Sequence, residues 1–366
     1  MNMNTNIKII ATALLFIFFS STFTSMGQTP IRHNALKNND YGVVYSLPIT
    51  QLDFEFEISK TTYTRGEYYQ YAKQYLSIDN AILEDKTVYK LEDIKVENKG
   101  IPNKNESYLV KFKSNSVEPY VYLTKDGLIC AINETPNITE TIKATRIQEA
   151  AATTVNAQSL LTEEILLAGS RSKQAELIAK QIFALRLSRT DILTGEAENM
   201  PPDGEAYKLV MNQINMQEKA LVELFSGSVK TEYDFKTVSI IPKYENIDRE
   251  VFARFSEKLG LVSADDLSGE PIYLSLINKS PQPDVVLTDR EIRQLEKKFS
   301  QGLVYNIPSK AQLTLSYRNE VFSNMEVDVV QYGSQDVLTS RMFDSRKQPI
   351  KVIFYPELGA VKQIIQ

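Results

Sequence analysis

Residues 52–59 carry a strict alternation of apolar and polar side chains, which limits the fold to one that contains a half-buried sheet. The order is Leu52-Asp-Phe-Glu-Phe-Glu-Ile-Ser59. Successive side chains of a β-strand point to opposite faces, so this order gives a strand one apolar and one polar face. Strand-like composition returns farther along the chain, in residues 86–97, 107–113, 119–132, 229–241, 270–278 and from 302 to the end.

Helical periodicity separates these strand segments. Residues 172–194 and 203–225 carry apolar residues at helical spacing and are joined by a short acidic turn, which predicts an antiparallel helical hairpin. Ser170 or Ser172 can cap the first helix, and Gly195 is suited to its end. Shorter helices are predicted at 67–76, 160–168, 248–259 and 289–299. In the third of these Asp248 is the predicted cap, and the inward residues are Val251, Phe252, Phe255 and Leu259.

Together these segments predict an α+β fold, in which two β-rich modules bracket a central antiparallel helical hairpin and a small α/β segment. The predicted boundaries are a signal peptide at 1–27, an N-terminal β-rich module with one Tyr-rich helix at 28–135, the hairpin region at 136–227, the α/β segment at 228–300 and a C-terminal β module at 301–366.

A weak internal repeat links the two β modules. Gly42-Val-Val-Tyr-Ser-Leu-Pro48 recurs as Gly302-Leu-Val-Tyr-Asn-Ile-Pro308, and tight hairpins are expected at Asp126-Gly127 and at Glu357-Leu-Gly359. The repeat has two interpretations. In the first, the two modules are related, and they either pair with each other or form two ends of a pseudo-symmetric molecule. In the second, two unrelated strands begin at similar proline turns.

The first 27 residues have the composition of a secretory signal peptide. Lys8 supplies a positive charge, residues 9–19 form an uncharged apolar run, and Ser25 and Gly27 are small residues suited to cleavage before Gln28. The apolar run is too short for a membrane-spanning helix, which needs roughly 20 residues. No cysteine follows it to carry the acyl chains of a lipoprotein. We therefore expect an exported protein, periplasmic or outer-membrane-associated, with no membrane span after cleavage.

Composition removes several classes of function. The formal net charge is −5 with interspersed signs, so the chain lacks the basic surface of a nucleic-acid-binding protein. Cys130 is the only cysteine, which excludes an intramolecular disulfide, and its apolar neighbours predict a buried, inert thiol. His33 is the only histidine and lies near the chain start, which argues against Ser-His or Cys-His catalysis and against His-rich zinc sites.

Two polar groups near the predicted hairpin have both a functional and a structural interpretation. Ser170 and Lys173 fit the S-x-x-K motif of Ser-Lys enzymes, but the companion motifs are absent, so a helix cap is favoured. The acids of the turn offer oxygen ligands for Ca²⁺ or simply form a solvated turn, and we favour the turn because their spacing matches no EF-hand loop. These acids are Glu196, Glu198, Asp203 and Glu205.

Two further groups are equally ambiguous. Arg186 and Arg189 are expected to form an inter-helix ion pair with Glu218, and the alternative is a binding site for a carboxylate or a phosphate. A tyrosine stripe on residues 67–76 is expected to pack on a sheet, and the alternative is a stacking surface for glycan. The stripe consists of Tyr68, Tyr71 and Tyr75.

Several segments resemble a family of exported Bacteroidota proteins of unknown function. They include Glu163-Glu-Ile-Leu-Leu-Ala-Gly-Ser170, Arg189-Thr-Asp-Ile-Leu-Thr-Gly195, Met200-Pro-Pro-Asp-Gly204 and Pro356-Glu-Leu-Gly-Ala360. The resemblance extends over nearly the whole mature chain. It implies an exported envelope protein of the predicted architecture, and it carries over no activity and no functional residue.

The sequence therefore favours a non-enzymatic interaction or structural protein of the cell envelope. The alternatives are a carboxylate-based hydrolase that acts on glycan or peptidoglycan, and a carbohydrate-binding module that uses the tyrosine stripe. No catalytic, cofactor-binding or metal-ligating residue can be named, and no cofactor is expected. The expected partner is another envelope protein or a glycan, and the oligomeric state stays open.

Overall fold

The structure is a computed structural model that describes residues 42–111, 121–136, 155–200, 204–280, 288–299, 302–339, 342 and 350–365. In this part of the chain antiparallel sheets predominate over helices, which confirms the α+β class and makes it strand-rich. The strands are β1 (Gly42–Thr64), β2 (Lys86–Lys111), β3 (Val121–Leu123), β4 (Ile129–Ile132), β5 (Ser228–Ile240), β6 (Ile247–Ser256), β7 (Gly260–Val262), β8 (Glu270–Asn278), β9 (Gly302–Tyr317), β10 (Glu320–Thr339), β11 (Lys351–Tyr355) and β12 (Ala360–Ile365). The helices are α1 (Ala72–Leu76), α2 (Glu163–Leu166), α3 (Arg171–Thr194), α4 (Glu205–Ser226) and α5 (Asp289–Phe299).

The first sheet has the order β2-β1-β5. β1 contains the alternating segment and pairs with β2 from Gly42 opposite Lys111 to Tyr63 opposite Lys86. The two strands predicted at 86–97 and 107–113 are one continuous strand, because β2 follows its long partner across Pro102, which lies opposite Pro48.

The second sheet has the order β10-β9-β8-β6-β7 and corrects one prediction. Residues 248–259 are not a helix that Asp248 caps, because β6 occupies most of them and pairs with β8. The register shifts twice along this pair, and Arg249 has a φ of 51°. A bulge interrupts the two-residue alternation of a strand. The apolar residues of β6 therefore occur at a spacing that resembles the periodicity of a helix.

The third sheet has the order β12-β11-β4-β3 and contains both predicted tight turns. Gly127 has a φ of 80°, and its N–H donates to the Thr124 carbonyl at 3.0 Å. Gly359 has a φ of 65°, and its N–H donates to the Tyr355 carbonyl at 2.7 Å. These contacts confirm the two hairpins. The sheet combines strands from both ends of the chain, so the sheets do not follow the order of the predicted modules, whose boundaries stay a prediction.

Two apolar cores lie along the length of β1 and β9. The first core lies between the first two sheets, where the apolar face of the alternating segment packs on β6, β8, β9 and β10. It includes Leu52, Phe54, Phe56, Phe255, Leu274 and Leu313. The second core joins the beginnings of β1 and β9 to the third sheet. It includes Tyr45, Leu47, Ile129, Val304, Val352 and Phe354.

The two copies of the seven-residue repeat meet where the cores join, but their environments differ. The Tyr45 hydroxyl donates to the Val304 carbonyl at 2.9 Å, and the Asn306 amide donates to the Pro48 carbonyl at 3.1 Å. Leu47 is buried, whereas its counterpart Ile307 is 43 % exposed. The copies belong to different sheets, so they contact each other through side chains and do not share a ladder. The repeat therefore does not place equivalent residues in equivalent environments.

The helices form a third apolar cluster beyond the end of β1. The Tyr68 N–H donates to the Leu224 carbonyl at 2.7 Å, and the Ile82 N–H donates to the Ser226 carbonyl at 2.8 Å. The chain between β1 and β2 thus wraps around the end of α4. A Cβ atom at Gly66 would lie 2.6 Å from the Leu224 carbonyl oxygen, so this approach requires glycine.

Candidate functional site

The tyrosine stripe is part of the helical cluster and packs on helices rather than on a sheet. Tyr68 is 4 % exposed, and its hydroxyl lies 3.2 Å from the Gln174 side-chain oxygen. The Tyr75 hydroxyl contacts the Ser172 hydroxyl at 3.3 Å. The rings of Tyr71 and Tyr75 are tilted by 34° and do not form a flat platform. Tyr68 is thus buried in the helical cluster and Tyr71 and Tyr75 are partly buried, which favours the packing interpretation over a glycan-stacking surface.

The two arginines on α3 are occupied by a structural ion pair. Arg186 Nε lies 2.6 Å from one Glu218 carboxylate oxygen, and Arg189 binds the other oxygen. Arg189 also donates to the Asn215 side chain at 3.2 Å. The Glu218 side chain is only 12 % exposed. The predicted inter-helix pair is confirmed, and the alternative anion site is wrong because a carboxylate of the chain already fills it.

The remaining predicted groups have structural roles where the structure describes them. The Ser170 hydroxyl accepts the Lys173 N–H at 3.2 Å, which confirms the cap and explains the S-x-x-K match. Cys130 is fully buried, and burial raises the pKa of its thiol. Asp203, like His33 and the signal peptide, lies outside the described residues.

The acids of the turn do not form a metal site in the described part of the chain. Glu196 and Glu198 are exposed, and Glu205 pairs with Lys208 at 2.9 Å. The described residues contain no group of three or more His, Cys, Asp or Glu side chains arranged to hold a metal ion.

The hydrolase hypothesis requires a carboxylic acid with a raised pKa. Each described carboxyl group whose pKa departs clearly from its ordinary value has a lowered pKa instead, because hydrogen bonds stabilise the charged form. Hydrogen bonds from Lys298 to Asp336 and from Arg318 to Glu270 are two examples. The described residues therefore give this hypothesis no support.

One surface that the sequence did not single out is the outer strand of the first sheet. Among the described residues, β5 has a strand neighbour on one side only, which is β1. Every residue from Val229 to Asp234 is exposed, so both faces of this segment contact solvent. Val229 is 58 % exposed and Tyr233 is 52 % exposed. The strand itself was predicted at 229–241, but its position at the sheet edge depends on a pairing partner that lies far away in the sequence.

The two faces of β5 differ in chemistry. The odd-numbered positions carry Val229, Thr231 and Tyr233, which are residue types that favour strands. The even-numbered positions carry charges of both signs, and no apolar residue occurs among them before Val238. These positions are Lys230, Glu232, Asp234 and Lys236.

The charged face of β5 lies on the same side of the sheet as the core face of β1. Asp234 lies opposite Ile58 and Lys236 lies opposite Phe56. Lys230 contacts Glu232 at 2.6 Å, and this hydrogen bond lowers the pKa of the Glu232 carboxyl. β5 thus presents an ordered row of charges beside an edge that no strand of the described residues occupies.

Comparison with known proteins gives a family but no activity. Among the described residues, no helix combines the length and the apolar character that crossing a membrane requires. No curated protein and no solved structure matches the chain. One family, described as Domain of unknown function (DUF4831), matches residues 41–362, which are most of the 366 residues. The chain therefore belongs to the DUF4831 family of domains of unknown function.

Proposed function

We propose that this protein is exported to the cell envelope and acts there by binding another protein, which adds an extended segment to β5. Strand addition at a sheet edge supplies main-chain hydrogen bonds, and the side chains of the edge select the partner. The observation that carries the proposal is the exposure of both faces of β5 from Val229 to Asp234 beside an edge that no described strand occupies.

The export part of the proposal rests on the first 27 residues. Their short positive segment, apolar run and small residues at the cleavage position are typical of a signal peptide. After cleavage the mature chain begins at Gln28.

The proposal also includes an antiparallel hairpin of α3 and α4. Contacts between the two helices support this arrangement, because Arg186 reaches Glu218 while Arg189, one turn further along α3, reaches back to Asn215 on α4. The hairpin and its attached cluster then hold the end of the sheet from which β5 emerges.

Two proline variants of the full-length protein test the binding role. Along an antiparallel strand, the main-chain N–H groups of neighbouring residues point to opposite sides. One of the two variants T231P and E232P therefore disrupts the pairing with β1, and we expect this variant to have a lower melting temperature. The other variant removes a donor from the open edge, and we expect its melting temperature to stay nearly unchanged.

Binding is read out with a photo-crosslinking amino acid in place of Tyr233, in cells that export the protein. We expect a discrete adduct with a second envelope protein, which disappears in the edge-facing proline variant although that variant stays folded. Retention of residues 1–27 on a cytoplasmic chain would contradict export. An adduct that is unchanged in the folded, edge-facing proline variant would contradict strand addition.

A further inference from the structure

The charge order of β5 restricts what can pair with it. Reading from Lys230 through Glu232 and Asp234 to Lys236, the signs are plus, minus, minus, plus, and all four side chains lie on one face. This order is a palindrome. Residues that lie directly opposite each other in an antiparallel pair are close enough to interact, and like charges there are destabilising.

A second copy of the chain fits this edge less well than a segment of complementary charge order. If two β5 strands paired antiparallel about Tyr233, each Lys230 would lie opposite a Lys236, and each Glu232 would lie opposite an Asp234. A shift of two residues in either direction relieves some of these contacts but places Asp234 opposite itself or Glu232 opposite itself at the centre. A shift of four residues removes every like-charge contact, but it leaves only two opposite-charge contacts between the two strands. Charged side chains on an edge strand are a common protection against edge-to-edge association.

We infer that β5 selects an extended segment of a different protein whose charges follow the opposite order, minus, plus, plus, minus, at every second residue, because such a segment forms four opposite-charge contacts and a second copy of β5 forms at most two. The inference rests on the proposed strand addition and names the chemistry of its partner. The intervening positions of that segment are expected to be β-branched or aromatic, because they lie beside Val229, Thr231 and Tyr233.

Asp234 and Lys236 are the residues to exchange in a test. Their partners on β1 are the apolar residues Ile58 and Phe56, and no ion pair to either charge occurs among the described residues. The double variant D234K/K236E leaves the net charge unchanged. It converts the order to plus, minus, plus, minus, which is complementary to itself in the antiparallel register about residue 233.

The experiment uses the protein recovered from exporting cells and compares wild type with D234K/K236E by analytical ultracentrifugation. All four like-charge contacts of the symmetric pair become opposite-charge contacts, so we expect the dimer of the variant to be tighter than that of the wild type by about tenfold or more at low salt. The gain is expected to fall as the salt concentration rises.

Two synthetic eleven-residue peptides of identical composition complete the test. One carries Glu, Lys, Lys, Glu at alternate positions and the other carries Lys, Glu, Glu, Lys, with Thr, Val and Tyr between them. By fluorescence anisotropy, wild type is expected to bind the first peptide more tightly, by about tenfold, and D234K/K236E is expected to lose that preference.

The outcomes separate the inference from the proposed function. Equal binding of both peptides, or dimerisation of the wild type through β5, would overturn the charge-order inference and leave strand addition standing. Binding of neither peptide, together with a monomeric double variant, would overturn both.

Discussion

Replacement of Asn306 tests whether a buried polar contact holds the two β cores together. Asn306 is 2 % exposed and lies in the second copy of the repeat. Its amide nitrogen donates to the Pro48 carbonyl at 3.1 Å and to the Leu358 carbonyl at 3.0 Å. Its side-chain oxygen accepts from Gln335 at 3.3 Å. One side chain thus joins β1, the turn between β11 and β12, and β10.

The expected cost follows from the groups that lose their partner. N306A leaves two carbonyl oxygens without their side-chain donor, and a buried unsatisfied polar group costs about 1–3 kcal/mol. Since water can enter the space that the amide leaves, we expect a total loss of about 2–4 kcal/mol in the free energy of unfolding. N306D is expected to be less stable still at neutral pH, because a carboxylate would face two carbonyl oxygens.

Urea unfolding followed by circular dichroism measures both variants. The matched control is N212A on the exposed surface of α4, which should stay within about 0.5 kcal/mol of wild type. Below the ordinary pKa of an aspartic acid, about 3.9, the protonated side chain of N306D can donate one hydrogen bond, so its deficit relative to N306A should shrink. N306A with wild-type stability would refute the role assigned to this contact.

Three further changes test other parts of the structure. E218Q removes the charge that the two guanidinium groups of α3 bind and should cost about 1–2 kcal/mol, whereas E198Q in the exposed turn should cost almost nothing. The Cys130 thiol should not react with a thiol reagent in the native protein and should react stoichiometrically in denaturant, because it is fully buried; rapid reaction of the folded protein would contradict its burial. G100A should destabilise the protein by about 1–3 kcal/mol or more, because its Cβ would lie 2.2 Å from a backbone oxygen of the β11–β12 turn, and G169A, which has open space around it, serves as the control.

The sequence predicted those elements whose signals are local. The alternation from Leu52 to Ile58 identified the core face of β1, since a regular ladder preserves the two-residue period. Ser170 and Gly195 marked the two ends of α3, because capping depends on the neighbouring backbone alone. The Arg186–Glu218 pair followed from positions on two helices that are close in the sequence.

The predictions that failed depend on contacts between distant residues. The bulge at Arg249 changed the spacing of apolar residues in β6, and only its pairing with β8 shows that the segment is a strand. The burial of Tyr68 depends on α3, about a hundred residues away, as its contact with Gln174 shows. The open edge of β5 likewise depends on the sheet order, which local patterns do not specify.

Amide hydrogen exchange along β5 tests most directly whether this strand has an open edge. Amides that point to β1 should exchange slowly, and amides that point away should exchange fast, so protection should alternate residue by residue from Val229 to Asp234. A binding peptide with the charge order minus, plus, plus, minus should then slow exchange at the unprotected positions. Uniform protection of all these amides in the isolated protein would show that the edge is already occupied and would contradict the proposed binding role.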